Sequence, residues 1–241
     1  MTLCQELINN MCEERMHLPQ IIAIDGPASS GKSTLGERLA RYLGYVYLDT
    51  GVMYRAVTLA ALERLGSVQN EQEVTRLAEI VQIDVRPPSA QDGRTADILM
   101  DGKDITWQIR QSDVDLNVSQ ASMYSGVRNA MTEQQRRIAN RGKIVMVGRD
   151  IGTVVLPNAE LKIYLDASVE ERARRRYQET LDRDGDADYE QILASLKRRD
   201  NIDSTRELAP LKIAEDAVVI NSDCMSADEV FEFVLGYVKY N

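Results

Sequence analysis

One segment near the start of the chain restricts its fold more than any other. Four apolar residues, Ile21 to Ile24, and Asp25 precede the run Gly26-Pro27-Ala28-Ser29-Ser30-Gly31-Lys32-Ser33-Thr34. Leucines then recur at positions 35, 39 and 43, the spacing of an amphipathic helix. A buried strand, a Gly-x-x-x-x-Gly-Lys-Ser loop and a helix, in that order, are the signature of a phosphate-binding loop. The segment therefore predicts an α/β fold that binds a nucleoside triphosphate.

The residue types of this loop suit the binding of phosphate. Glycines allow backbone N–H groups to surround phosphate oxygens, and the start of the following helix adds positive potential. Lys32 supplies a mobile positive charge, and the Ser33 hydroxyl is placed to hold Mg²⁺. We therefore predict that the triphosphate binds here together with Mg²⁺.

Length and composition limit the kind of protein this can be. At 241 residues, with 44% hydrophobic and 28% charged residues, the chain suits one sizeable α/β core. We expect a cytoplasmic protein, because no apolar stretch approaches the roughly 20 residues of a membrane span and the start does not resemble a secretory signal. A net charge of −9 disfavours nucleic acid and anionic membranes as partners. One histidine, His17, and three scattered cysteines argue against zinc or multi-histidine sites.

Four further short apolar runs have the length and composition of buried strands. They cover residues 45–48, 143–148, 161–166 and 217–220, and helical patterns lie at 56–65, 112–141 with a break near Ser125, 169–181 and 228–237. Buried strands that alternate with helices predict a five-stranded parallel sheet with helices on both faces.

Two segments depart from this alternation. Between residues 80 and 106, short apolar runs are joined by Asp101-Gly102, which is a hairpin signal and predicts a small β-containing insertion. The acidic stretch from Asp182 to Asp188 lacks the turn glycine and closing glutamate of a calcium loop, and we interpret it as a solvated, mobile loop.

Arginines cluster around the predicted strand ends. They include Arg55 after the second strand, Arg149 after the third, Arg172, Arg174, Arg175 and Arg176 after the fourth, and Arg198, Arg199 and Arg206 before the last. A planar guanidinium pairs with phosphate through two hydrogen bonds and stays charged. In so acidic a chain these arginines favour a kinase over a switch, pump or hydrolase, although Arg174 and Arg175 fit ion pairs along a helix equally well.

Five segments, in chain order, resemble the bacterial cytidylate kinase family. They are residues 26–34, Leu48-Asp49-Thr50-Gly51-Val52-Met53-Tyr54-Arg55, Gly148-Arg149-Asp150-Ile151-Gly152-Thr153-Val154-Val155, residues 162–168 with Glu171-Arg172, and residues 199–206 with Ala209-Pro210-Leu211. The second and third are the most specific, and the resemblance runs from about Ile21 to Tyr237. It implies the fold of P-loop nucleoside monophosphate kinases, and transfer of the γ-phosphoryl group of ATP to CMP or dCMP by a monomer.

The resemblance also implies a division of the chain and a role for each site residue. Residues 1–20 would be an N-terminal extension, and 21–241 a single kinase domain with a monophosphate-binding insertion at about 55–140 and a helical lid at about 170–190. Residues 26–34 would bind ATP. The acceptor would be bound by Thr50, Arg55, Ser119, Arg128, Arg149, Asp150, Arg199, Asp203 and Arg206, with Ser119, Arg128 and Asp150 contacting cytosine. Lys32, Arg149, Arg172, Arg176 and Arg206 would stabilise the phosphate in transfer.

Alternatives to this assignment stay open. A uridylate or adenylate kinase would share the phosphate-binding loop, and a non-catalytic nucleotide-binding module would need little more than that loop. A guanine-nucleotide switch is disfavoured, because the Asn-Lys-x-Asp pattern that reads guanine does not occur.

Overall fold

The computed structural model describes residues 18–240, so most of the predicted extension, residues 1–17, lies outside the described part of the chain. The strands are β1 (Ile21–Asp25), β2 (Val46–Asp49), β3 (Ile83–Arg86), β4 (Asp97–Met100), β5 (Lys103–Asp104), β6 (Ile144–Val147), β7 (Leu161–Asp166) and β8 (Val218–Asn221). The α-helices are α1 (Lys32–Leu43), α2 (Gly51–Leu65), α3 (Glu71–Ile80), α4 (Ser112–Met123), α5 (Ser125–Ala139), α6 (Val169–Asp184), α7 (Tyr189–Thr205) and α8 (Ala227–Tyr240).

The central sheet has five strands in the order β2-β6-β1-β7-β8, all parallel. This confirms the predicted parallel sheet, and each strand begins within one residue of its predicted start. β1 lies in the middle of the sheet, between β6 and β7. The loop that follows β1 therefore opens at the centre of the carboxyl edge, where ligands bind in such sheets.

Helices cover both faces of the sheet, as predicted. Ile22 and Ile24 of β1 belong to one buried cluster, with α1 and α8, whereas Ala23 between them belongs to the other, with α2 and α5. This alternation follows from the period of two residues in a strand, and each fully buried isoleucine contributes about 1.5–3 kcal/mol. The two clusters fix the strand ends relative to the helices that start there.

The predicted β-containing insertion is also present. β3, β4 and β5 form a separate antiparallel sheet, and Asp101 and Gly102, both with positive φ, turn the chain from β4 into β5. Positive φ at both central positions is what an Asp-Gly hairpin turn requires. The small sheet packs beside α2, α3 and α5, and a short 3₁₀ turn, Gln108–Arg110, leads from it into α4.

Some local predictions were wrong. The second helix begins at Gly51 rather than near residue 56, because the Asp49 Oδ1 atom accepts a hydrogen bond from the Gly51 N–H at 3.0 Å. The loop predicted at 182–188 is shorter than expected and covers residues 185–188, since α6 continues to residue 184, and the Asp188 carboxylate caps α7 by accepting from the Gln191 N–H. The helices α3 and α7 and a π-helical turn, Ile151–Val155, had no counterpart in the sequence analysis.

Among residues 18–240, no helix combines the length and the apolar character that crossing a bilayer requires.

Candidate active site

The loop after β1 has a backbone that fits an anion. Gly26 has φ 146°, and a Cβ atom there would lie 2.1 Å from the carbonyl oxygen of Leu165, so a side chain cannot be accommodated. Gly31, with φ 94°, is the N-cap of α1 and has no side chain to occupy the first N–H groups of the helix. These N–H groups and the positive end of the helix are therefore available to phosphate oxygens.

Lys32 lies beneath this loop and is buried. Its Nζ atom donates to the Pro27 carbonyl at 2.5 Å and to the Ser30 hydroxyl at 3.4 Å. Burial lowers the pKa of Lys32 well below its usual value, and the neighbouring Arg149 lowers it further. A phosphate oxygen beside Nζ would favour the charged form of Lys32 again. An anion bound in the loop would therefore be stabilised by this lysine.

Two cavities meet at this loop. One, of about 570 Å³, lies between the loop and residues of α6 and α8; its lining includes Ser29, Ser30, Gly31, Lys32, Ser33, Thr34, Arg174, Arg175 and Arg176. The other, of about 670 Å³, is lined by most of the predicted acceptor residues and is called here the acceptor cavity. Ser29, Lys32, Ser33 and Arg176 line both cavities. Two ligands could therefore meet directly above Lys32.

The structure brings together every predicted acceptor residue. The acceptor cavity is lined by Thr50, Arg55, Ser119, Arg128, Arg149, Asp150, Arg199, Asp203 and Arg206, along with Ala28, Ser29, Lys32 and Ser33 of the loop. These residues come from the start of α2, from α4 and α5, from the turn after β6 and from the end of α7. Gly26 and Pro27 shape the loop without lining either cavity.

Arginines and aspartates alternate along one wall of the acceptor cavity. Arg128 Nη2 donates to Asp150 at 3.0 Å, and Arg149 Nε donates to Asp203 at 2.9 Å. Arg206 lies between the two pairs, 3.5 Å from Asp150 and 3.7 Å from Asp203. These three arginines and two aspartates form a series of ion pairs. A side chain that left the series would leave a neighbouring charge without a partner, so the ion pairs hold each side chain in place.

Positive charge nevertheless exceeds negative charge around the cavity. Burial and the nearby Arg149 lower the pKa of Arg199, and burial and Arg128 lower the pKa of Arg206. Arginine remains charged despite such shifts, so the guanidinium groups repel one another until an anion enters. Within residues 18–240, the buried Arg206 Nη2 and Arg128 Nε atoms hydrogen-bond to no protein atom. The hydrogen-bonding capacity of these two guanidinium groups is therefore not fully used by the described residues.

The turn that carries Arg149 and Asp150 is fixed by a buried carboxylate at the end of β1. The two oxygens of Asp25 accept from the Ile151 N–H at 2.8 Å and from the Gly152 N–H at 2.7 Å. Burial raises the pKa of Asp25 to about 6, with a further contribution from the charge of Asp150. Asp25 thus connects the phosphate-binding loop to the acceptor side of the site.

Arg172 and Arg176, both predicted to act on the transferred phosphate, have different surroundings. The buried Arg172 guanidinium binds both carboxylate oxygens of Asp200, at 3.1 and 2.6 Å, and the carbonyls of Ala28 and Ala167. It lines neither cavity. Arg176 lines both cavities and is half-exposed, and among the side chains that the structure describes it contacts Glu179, at 3.4 Å. Of the two side chains, Arg176 is the one placed to reach a phosphate.

Two remaining acceptor residues use part of their bonding capacity within the protein. The Thr50 hydroxyl donates to the Val147 carbonyl at 3.1 Å, which leaves its oxygen able to accept. Arg55 donates to the Ile109 carbonyl at 3.2 Å and forms an ion pair with Asp115. The Arg128 guanidinium also lies 5.3 Å from the centre of the Tyr54 ring, which forms part of the cavity wall.

A hydroxyl and a carboxylate are adjacent where Mg²⁺ was predicted. Ser33 Oγ donates to Asp49 Oδ2 at 3.1 Å, and both residues line the acceptor cavity. Oxygen donors of this kind suit Mg²⁺, which usually takes few protein ligands and several waters or phosphate oxygens. Within residues 18–240 no three His, Cys, Asp or Glu side chains are grouped to hold a metal by themselves. The donor set therefore fits a metal bound mainly through a nucleotide.

Four residues of the site, Asp25, Asp49, Tyr54 and Asp115, were not predicted from the sequence. Asp49 and Tyr54 lie inside one of the segments that carry the family resemblance, and Asp49 is a polar residue at the end of an apolar strand, which was a usable signal. Asp115 lines the cavity from α4, and no local sequence pattern predicts that α4 lies at this cavity.

Comparison with known sequences agrees with this geometry. The sequence profile of the family described as cytidylate kinase matches residues 22–240. A cytidylate kinase from Herpetosiphon aurantiacus is 48% identical over 223 residues, 92% of this chain and 96% of that protein. One from Roseiflexus castenholzii is 49% identical over 224 residues, 92% and 95% of the two chains. Among solved structures, shikimate kinase from Bacteroides thetaiotaomicron aligns over 90% of this chain and 95% of its own, with 11% identity and a TM-score of 0.44. The profile match and these two relatives show that the chain belongs to the cytidylate kinase family.

Proposed function

We propose that this protein transfers the γ-phosphoryl group of ATP to CMP or dCMP, producing ADP and CDP or dCDP. The observation that carries the proposal is the acceptor cavity, in which Lys32, Arg55, Arg149, Arg199 and Arg206 surround a space that opens onto the phosphate-binding loop. So many cations in one cavity need an anionic ligand, and a module that only bound ATP would not need a second cavity.

The acceptor base would bind at Arg128 and Asp150. The Asp150 carboxylate can accept a hydrogen bond from the exocyclic amine of cytosine, whereas uracil has a carbonyl at that position. The unpartnered Nε of Arg128 can donate to a ring acceptor, and Ser119 lies on the same wall. This arrangement favours a pyrimidine that carries an amine.

The acceptor sugar and phosphate would bind nearer the loop. Thr50, Arg55, Arg149, Arg199, Asp203 and Arg206 would bind them, and Lys32 and Arg176 lie where the two ligands meet. Since the acceptor is already an anionic phosphate, the reaction needs no general base. Positioning the two phosphates in line and neutralising the charge of the transferred group would supply the catalysis.

Mg²⁺ would be held by the Ser33 hydroxyl, with Asp49 beside it, and by the ATP phosphates. The metal would neutralise phosphate charge during transfer. The division into a core, a monophosphate-binding insertion at about 55–140 and a lid at about 170–190 is part of the same proposal. We further propose that the protein acts as a monomer in the cytoplasm.

A panel of acceptors tests the proposal directly. ADP release is measured with ATP and CMP, dCMP, UMP, AMP or GMP, each at several concentrations. We expect CMP and dCMP to give the highest kcat/KM. A clear preference for UMP or AMP would replace the acceptor that we propose. No acceptor-stimulated ADP release, with ATP binding intact, would favour a non-catalytic module.

A further inference from the structure

Four carboxylates line the acceptor cavity, and three of them already have a role. Asp150 and Asp203 belong to the series with Arg128, Arg206 and Arg149. Asp49 accepts hydrogen bonds from the Gly51 N–H at the start of α2 and from the Ser33 hydroxyl. The fourth, Asp115, lies on α4 and forms an ion pair with Arg55. Nothing in the proposed reaction uses a negative charge at that point.

Arg55 would have to exchange its protein partner for the acceptor phosphate when the acceptor binds. Its Nη1 atom donates both to Asp115 and to the Ile109 carbonyl, so the protein itself satisfies part of this guanidinium. The Asp115 side chain is 53% exposed and that of Arg55 32% exposed, so both face the solvent that a ligand would displace. A phosphate that paired with Arg55 would lie close to the Asp115 carboxylate.

We propose that Asp115 is an affinity-tuning residue that competes with the acceptor phosphate for Arg55. This inference rests on the proposed function, which places the acceptor phosphate at Arg55. In the empty cavity Asp115 neutralises one of the converging cations, and during binding it repels the entering phosphate. A nucleotide offsets this repulsion through its base and sugar contacts, whereas a free inorganic anion cannot. The pair therefore weakens the binding of every ligand that places a phosphate at Arg55, and a ligand without further contacts is then held only weakly.

Calorimetric titration of the full-length protein tests the proposal with three ligands: CMP, cytidine and inorganic phosphate. Asp115→Asn keeps the size and removes the charge, and Asp115→Glu keeps the charge. Asp113→Asn is the matched control, because Asp113 is exposed on the same helix and does not line the cavity. Partly exposed charges change affinity only moderately, so we expect Asp115→Asn to lower the Kd for CMP about twofold to fivefold.

The pattern across ligands separates competition from a structural effect. In Asp115→Asn, cytidine should bind as it does to the wild type, and inorganic phosphate should bind more tightly by a similar factor to CMP. Asp115→Glu and Asp113→Asn should resemble the wild type for all three ligands. Unchanged or weaker binding of CMP to Asp115→Asn would overturn the inference, because the carboxylate would then be inert or would orient Arg55 for the phosphate. If the wild type bound no CMP, the proposed function itself would fail.

Discussion

At the scale of single residues, Asp25 shows how a buried charge can be retained at a cost. Its carboxylate fixes two backbone N–H groups of the turn after Arg149 and Asp150, yet burial raises its pKa from 3.8 to about 6. Between those two pH values the folded protein binds more protons than the unfolded chain, so this group makes the protein less stable as pH rises.

We therefore predict a difference in the pH dependence of unfolding between the wild type and Asp25→Asn. As pH rises from about 4 to about 6, the wild type should lose stability relative to the variant, by at most about 3 kcal/mol. Urea unfolding at a series of pH values measures this. Asp216→Asn is the control, because the ion pair with Lys162 lowers the pKa of Asp216 below 3.8, and its effect on stability should therefore be nearly constant from pH 4 to 6. A difference for Asp25→Asn that is constant from pH 4 to 6 would show that its pKa is not raised.

At the scale of secondary structure elements, Arg172 joins three segments that surround the site. Its guanidinium connects α6 with Asp200 on α7 and with the carbonyl of Ala28 in the phosphate-binding loop. Asp200 adjoins Arg199, which lines the acceptor cavity. Arg172 thus positions both the loop and α7, whereas Arg176, one turn further along α6, faces the cavities.

Substituting the two arginines should separate these roles. Arg172→Ala leaves Asp200 without its buried partner and should lower the free energy of unfolding by about 3 kcal/mol. Arg176→Ala should change stability by less than about 1 kcal/mol and lower kcat about 100-fold or more. Arg41→Ala removes an exposed ion pair on α1, with Glu37, and should affect neither quantity. Normal stability of Arg172→Ala together with a large loss of kcat would restore the original assignment of Arg172 to catalysis.

The contact between α1 and the sheet fixes the direction in which the loop opens. A Cβ atom at Gly36 would lie 2.5 Å from Val147 Cγ2 and 3.1 Å from Tyr47 Cε2, so the helix could not lie this close to β2 and β6 with a larger residue. We predict that Gly36→Ala destabilises the protein by about 1–3 kcal/mol. Gly236→Ala in α8, where no atom lies within 4 Å, should stabilise it by up to about 1 kcal/mol. Denaturant unfolding of both variants measures these effects, and equal stability of the two would contradict the close packing of α1.

At the scale of the whole molecule, the sequence predicts the sheet better than it predicts the helices around the site. The strands are short continuous apolar runs, and these are easy to recognise when both faces of a sheet are covered. α7 was missed because only Leu196 and Asp203 are buried along its 17 residues, which leaves little amphipathic pattern. The long acidic and basic stretches of α6 and α7 similarly gave no sign that the helices pack against each other through Arg172.

Sequence patterns predicted the phosphate-binding loop better than they predicted the acceptor side of the site. The phosphate-binding loop is one continuous segment whose glycines and lysine are recognised without knowledge of the fold. The acceptor residues come from segments that meet only in the folded chain, and local pattern alone would not have brought Ser119, Arg128 and Asp150 together. The family resemblance supplied those three, and all of them line the same cavity. It could not distinguish Arg172 from Arg176, because burial decides between them.

We propose above all that the acceptor cavity recognises a cytidine monophosphate through Asp150. The most direct measurement is the ratio of kcat/KM for CMP to that for UMP, in the wild type and in Asp150→Asn, with thermal unfolding as a check that the variant folds. Loss of a hydrogen bond to a charged acceptor should lower this ratio about 10- to 100-fold in the variant. A wild type without preference for CMP, or a folded Asp150→Asn variant with an unchanged ratio, would contradict this account.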